Sequence, residues 1–153
     1  MAEVYSRLEG FPKPAEQPEY YHLLLHVGDL TKNPGTELLV ATDLENHILG
    51  AVVFIGKMPY YGSGGSAPRE KDATGFRLLA VREEARGKGT GRRLTQECID
   101  RTRKMETGQV IIHTTRAMMT AWRMYESMGF KRSEDLDFMQ GSMPVYGFRL
   151  ILS

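Results

Sequence analysis

The spacing of apolar positions changes several times along the chain, and each change marks an element. In "EYYHLLLHVGDL", Glu19 to Leu30, residues Tyr20, Leu23, Leu24 and Val27 recur at helical spacing, and Pro18 suits a first turn. Ahead of it, "AEVYSRLEGF" reads as a short helix ended by Gly10, followed by the breaker-rich "PKPAEQP". The period then shortens. Glu37 to Thr42 and Ile48 to Ile55 are β-rich runs on either side of the polar "DLEN", the pattern of an antiparallel hairpin. The Gly-, Ser- and Pro-rich "KMPYYGSGGSAPREKDATG" comes next, and so long a loop in a compact domain is more often functional than idle.

Phe76 to Val81, "FRLLAV", is a near-continuous apolar run, the mark of a strand buried on both faces. A helix is predicted from Thr90 to Met105, with Leu94, Cys98, Ile99 and Met105 inward and Arg92, Arg93, Glu97, Asp100 and Lys104 outward. Glu97/Arg101 and Asp100/Lys104 are pairs of the favourable order along it. "GQVIIHTT" reads as another buried strand. A second helix, Ala117 to Met128, presents Ala117, Ala121, Met124, Tyr125 and Met128 inward and stops at Gly129. "FKRSEDLDF" and "VYGFRLIL" close the chain as two strands. This order predicts a mixed α/β (α+β) sheet in one domain over residues 1–153, rather than a doubly wound sheet.

Composition narrows the function. With 20 basic and 19 acidic side chains the net charge is +1, which argues against general affinity for nucleic acid or membrane surfaces. A single cysteine, Cys98, rules out an intramolecular disulfide framework and fits a reducing compartment. No apolar run approaches the roughly 18 residues of a membrane span, and the N-terminus lacks the apolar segment of a secretory signal. A cytoplasmic protein is expected.

Positive charge concentrates in one place. Gly87, Gly89 and Gly91 alternate with Lys88 and Thr90, flanked by Arg86, Arg92 and Arg93, between the predicted strand and the predicted helix. A strand that runs through glycines into a helix N-terminus makes an anion site, because the first helical amides lack partners and the helix dipole is positive there. The spacing is neither a Walker A loop, since Arg92 and Arg93 follow Gly91, nor G-x-G-x-x-G.

"RGKGTG", Arg86 to Gly91, fits R/Q-x-x-G-x-G/A, and here the sequence strongly resembles the GNAT superfamily of acetyl-CoA-dependent N-acyltransferases. "LLAV" ahead of it, "AWRMYESMGF" downstream (Ala121 to Phe130) and the closing "VYGFRLIL" extend the likeness from about Glu37 to Leu152. The resemblance implies a central, mostly antiparallel sheet with a splayed parallel strand pair, flanked by helices. It implies acetyl-CoA as co-substrate, with no metal. The pyrophosphate would sit on the amides of Gly87, Lys88, Gly89, Thr90, Gly91 and Arg92, aided by Arg86. The pantetheine arm would run along the backbone of Leu79, Ala80 and Val81, and Tyr125 would protonate the departing thiolate. A primary amine would attack the thioester directly. A small-molecule amine is the expected acceptor, with a protein or peptide amine left open, and a homodimer through the closing strands is implied.

Three departures stand out against the family pattern. The chain opens directly on its first helix, with the family's first strand absent. Met118 stands where many members carry an asparagine that touches pantetheine, and Gly75 stands where some carry a base glutamate. The base is left among His113, Glu70, Asp72, Glu19 or water. The acceptor side falls to Tyr5, Glu16, Glu19, Tyr20, Tyr21 and the loop Tyr60 to Gly75, whose carboxylates and tyrosines suit a small cationic amine. A non-catalytic acyl-CoA-binding module of the same fold is the alternative expectation.

Overall fold

The computed structural model describes residues 1–152. Two short helices, α1 (Ala2–Ser6) and α2 (Pro18–Leu25), lead into the hairpin β1 (Thr36–Thr42) and β2 (Ile48–Ile55). The order continues with β3 (Ala73–Val81), α3 (Thr90–Lys104), β4 (Gln109–Thr114) and α4 (Met119–Ser127). The short β5 (Lys131–Arg132) and β6 (Phe138–Gln140) precede the long β7 (Met143–Ile151). The seven strands form one sheet in the order β1-β2-β3-β4-β7-β5, with β6 also on β7. Every pairing is antiparallel except β3 with β4.

That exception creates the cleft. β3 and β4 pair only at Ala73/Gln109, Thr74/Val110 and Gly75/Ile111, although β3 continues to Val81 and β4 to Thr114. Beyond Gly75 the two strands share no register and one edge of each is left without a strand partner. A bulge in β3 opposite Val52 accompanies the parting. Leu78 there has φ 60°, a left-handed conformation that costs an L-residue about 1–2 kcal/mol. The bulge breaks the alternation, so Arg77 and Leu78 both face the same side.

Period-two alternation splits the core into two layers. Val53, Ile55 and Ile111 join Tyr5, Tyr21, Leu24, Met58 and Tyr61 on the α1/α2 face. Val52, Phe54, Phe76, Val110 and Ile112 meet Leu94, Cys98, Ile99, Trp122 and Tyr125 on the α3/α4 face. Thr74 of β3 is tied to α3 by its hydroxyl, 2.7 Å from that of Thr102.

Several boundaries differ from the sequence reading. The helix expected to Leu30 ends at Leu25 and continues as a 3-10 turn, Val27–Lys32. "FKRSEDLDF" is two strand fragments broken by a 3-10 turn at Glu134–Leu136, because Arg132 and Asp137 close on each other across it at 2.8 Å. Met105 lies past the end of α3 and is 48% exposed, while Thr95 and Thr102 share the inner stripe. Glu97 pairs with Arg101 as expected, whereas Asp100 takes Arg103 rather than Lys104. Among the described residues no strand precedes α1, and β1 forms an edge of the sheet.

Candidate active site

The glycine loop has the geometry of an anion cradle. Gly87 and Gly89 have φ of 77° and 82°, conformations that glycine adopts without a Cβ penalty. A Cβ at either position would meet nothing within 4 Å, so open space lies in front of both residues. Gly89 is the N-cap of α3, no side chain caps it, and the first intrahelical bond there runs from the Arg93 amide to the Gly89 carbonyl. The amides of Thr90, Gly91 and Arg92 are therefore free to bind a ligand. Glu83 and Glu84, just ahead of the loop, lie 3.9 Å and 4.0 Å from Arg7 and Arg82. Arg86 donates to the Val81 carbonyl at 3.3 Å, and Arg92 donates to the Ser127 hydroxyl at 2.6 Å.

The cradle opens onto a cleft of about 590 Å³ between the parted strands. Leu79, Ala80 and Val81 line one wall, Gly87, Gly89, Thr90, Gly91 and Arg92 the mouth, and Ala117 to Ala121 with Met124 the other wall. Val4, Tyr5 and Leu8 of the N-terminal segment also line it. Tyr5 is buried and donates its hydroxyl to the Leu79 carbonyl at 3.0 Å. A CoA-type ligand fits this set: free amides and cations for a pyrophosphate at the mouth, then a strand edge without a strand partner, where Tyr5 and Arg86 hold the Leu79 and Val81 carbonyls, and an apolar wall inside. Met118 belongs to that wall, so its contact is apolar.

Tyr125 is less accessible than the sequence implied. It is not among the residues that line the cleft. Its ring packs against Phe76 and Phe130, with centroids 5.9 Å and 5.7 Å away. Burial raises its pKa above the ordinary tyrosine value, with Cys98 and Tyr61 adding to the effect. Its charge would also be felt by Tyr5, which does line the cleft.

A second, smaller cavity of about 70 Å³ adjoins the first and shares Tyr5 and Met118 with it. Arg77, Tyr20, Tyr61, His113, Thr114 and Thr115 line it. His113 sits in a buried relay: Nε2 is 2.8 Å from the Leu136 carbonyl, so it carries the proton, and Nδ1 accepts from the Tyr61 hydroxyl at 3.0 Å. Burial lowers the His113 pKa to about 4, partly offset by the Leu136 carbonyl and reinforced by Arg77. The other candidate bases are placed elsewhere. Glu70 is paired with Arg149, Asp72 accepts from the Gly108 amide, and Glu19 is exposed on α2. Glu16 and Glu19 do not line the cavity, and among the described residues no carboxylate side chain does. Cys98 is fully buried, with its pKa pushed up to about 12 by burial, and serves packing.

Arg77, Thr114 and Thr115 were not singled out by sequence reasoning. The signal for Arg77 was present, as the one charge inside the apolar run "FRLLAV". Nothing in the sequence marks the threonines.

Comparison with known proteins agrees with this geometry. The sequence model of the acetyltransferase (GNAT) family matches residues 1–130. No curated protein matches significantly by sequence. Among solved structures, a GCN5-related N-acetyltransferase from Kribbella flavida is similar over 99% of this chain and 87% of its own, with a TM-score of 0.67 and 19% identity. A GNAT-family acetyltransferase from Staphylococcus aureus is similar over 93% and 81%, with a TM-score of 0.67 and 14% identity. Mutant forms of a spermidine/spermine N-acetyltransferase from Vibrio cholerae are similar over 88% and 73%, with a TM-score of 0.60 and 17% identity. These structural likenesses concern the fold, whereas the family match covers most of the sequence, and the chain belongs to the GNAT acetyltransferase family of acyl-CoA N-acyltransferases.

Proposed function

We propose that the protein transfers an acetyl group from acetyl-CoA to a primary amine of a small molecule by direct attack. The observation that carries this reading is the uncapped, glycine-fronted start of α3 at the mouth of a cleft formed where β3 and β4 part. The amides of Gly87 to Arg92, with Arg86, hold the pyrophosphate, and charge-assisted bonds strengthen that grip. The backbone of Leu79 to Val81 orients the pantetheine arm as an added strand. The amine nitrogen bonds to the acetyl carbon, the carbon–sulfur bond breaks, and the CoA thiolate takes a proton as the amine loses one.

In this reading Tyr125, packed behind Met124 and the cleft lining, supplies the proton to sulfur. Burial keeps its hydroxyl protonated throughout the neutral range while making it a weaker acid than a free tyrosine. The test is a calorimetric titration with acetyl-CoA, using ATP as control, followed by CoA release across an amine panel. Saturable binding of acetyl-CoA alone, with release on at least one amine, is expected. Tyr125→Phe should lower kcat by roughly a hundredfold, the low end for loss of a general acid. Full turnover of that variant at every pH would remove Tyr125 from the reaction.

A further inference from the structure

The cavity beside the cleft has an unusual charge balance. Arg77 is its one charged lining residue among the described residues. Among the described residues its guanidinium makes a single hydrogen bond, from Nη1 to the Tyr61 carbonyl at 3.0 Å, and has no carboxylate partner. A guanidinium carries five N–H donors in a planar fork suited to an oxyanion, so most of this capacity is unspent. Aromatic rings surround it: its charge is felt by Tyr5, Tyr20, Tyr61 and His113, and its carbon lies 5.9 Å from the Tyr61 ring centre.

A second observation is independent of the arginine. Thr114 and Thr115, at the end of β4, also line the cavity, and they are only 3% and 4% exposed. Their hydroxyls are buried without a hydrogen-bond partner. Thr114 pairs across the sheet with Tyr146 of the α4-side core, and side chains alternate along an extended segment, so Thr115 is the one of the two whose side chain lies on the cavity side. Buried polar atoms are nearly always paired, and the orphan Thr115 hydroxyl is open to a partner that the described residues do not supply.

The cavity also lies where an acceptor belongs. It shares Tyr5 and Met118 with the cleft, and Leu78 on its wall adjoins Leu79 on the wall of the cleft. We propose that this cavity is the acceptor subsite and takes a small amine that carries its own oxyanion, a carboxylate or an equivalent group. Arg77 holds the anionic group, the Thr115 hydroxyl adds a hydrogen bond, and the amino group is left toward the cleft. The subsite disfavours polyamines, because a second cation would face Arg77 with no carboxylate to offset it. The inference rests on the acetyl-transfer reading for its purpose, but its ligand preference is measurable without turnover.

The experiment uses matched acids and amides. Glycine, L-alanine, β-alanine and L-phenylalanine are compared with their carboxamides and with spermidine as acceptors. The N-acetylated acids and amides are titrated calorimetrically against the CoA-loaded protein. We expect at least tenfold tighter binding of acid than of amide, a similar ratio in kcat/KM, and loss of the preference in Arg77→Gln. Arg77→Lys, which keeps the charge without the fork, should retain part of it. Equal binding of acid and amide by the wild-type protein overturns the proposal even if Arg77→Gln does not fold. A preference for spermidine, or one that survives in a folded Arg77→Gln, overturns it as well. If the acid binds preferentially but no amine releases CoA, the subsite stands and the acetyl-transfer reading falls.

Discussion

Gly75 lacks a side chain because Tyr61 occupies the space. A Cβ there would collide with Tyr61 Cε1, lie 2.7 Å from Tyr61 Cδ1 and stand 2.9 Å from the Ile111 carbonyl. Neither neighbour yields easily, since Tyr61 is fully buried and Ile111 belongs to the strand paired with Gly75. Gly75→Ala should therefore cost about 1–3 kcal/mol, the usual penalty of overpacking a core, measured as a lower urea midpoint at unchanged slope. The same residue scale fixes a pH dependence. His113 is held at about 4 in the folded protein against 6.5 when free, so between those values the unfolded chain binds the proton that the folded one refuses. Its contribution is complete above pH 6.5 and is lost as pH falls toward 4, by up to about 3 kcal/mol. His113→Gln should flatten the stability profile across that window relative to wild type, and equal slopes for the two proteins would contradict the assignment.

At the scale of elements, the first turn of α3 is where stability and binding part company. Alanine at Gly89 meets no atom, so the cost is conformational: a φ of 82° penalises an L-residue by about 1–2 kcal/mol. The new methyl group also enters the open space at the mouth of the cleft that Gly89 lines. Gly89→Ala should accordingly lose a little stability and weaken acetyl-CoA binding by tenfold or more. A stability loss with unchanged calorimetric affinity would place the pyrophosphate elsewhere. The opposite balance holds along the body of α3, where Leu94, Cys98 and Ile99 pack on β2 and β3 and no ligand is involved.

The whole molecule is two half-sheets joined at a short seam. β1 to β3 form one antiparallel unit, β4 with β5 to β7 another, and three residue pairs of parallel register join them. A ligand that lies along the parted strands bridges both halves and binds only the folded state. Saturating acetyl-CoA at 100 times its Kd should add about 2.7 kcal/mol of stability, a rise in Tm of roughly 5–10 °C for a chain of this size. An unchanged Tm in the presence of excess acetyl-CoA would mean that the cleft does not hold it.

Local rules were enough for much of this protein. The hairpin, the helix after the glycines and the glycine-fronted start of that helix follow from periodicity and from glycine placed ahead of a helix, because both are set by residues near one another in the chain. The same holds for the stop at Gly129, whose φ is 99°. What only the tertiary structure decided depends on distant partners. The β3/β4 seam ends after Gly75 through a bulge at Leu78 whose positive φ no leucine-rich run foretells. Tyr125 looks like an inward helical residue by spacing, yet packing against Phe76 and Phe130 keeps its ring out of the cleft lining. Arg77 and Thr115 meet at one cavity because β3 and β4 begin as neighbours and then part, a consequence of pairing between strands rather than of any local sequence.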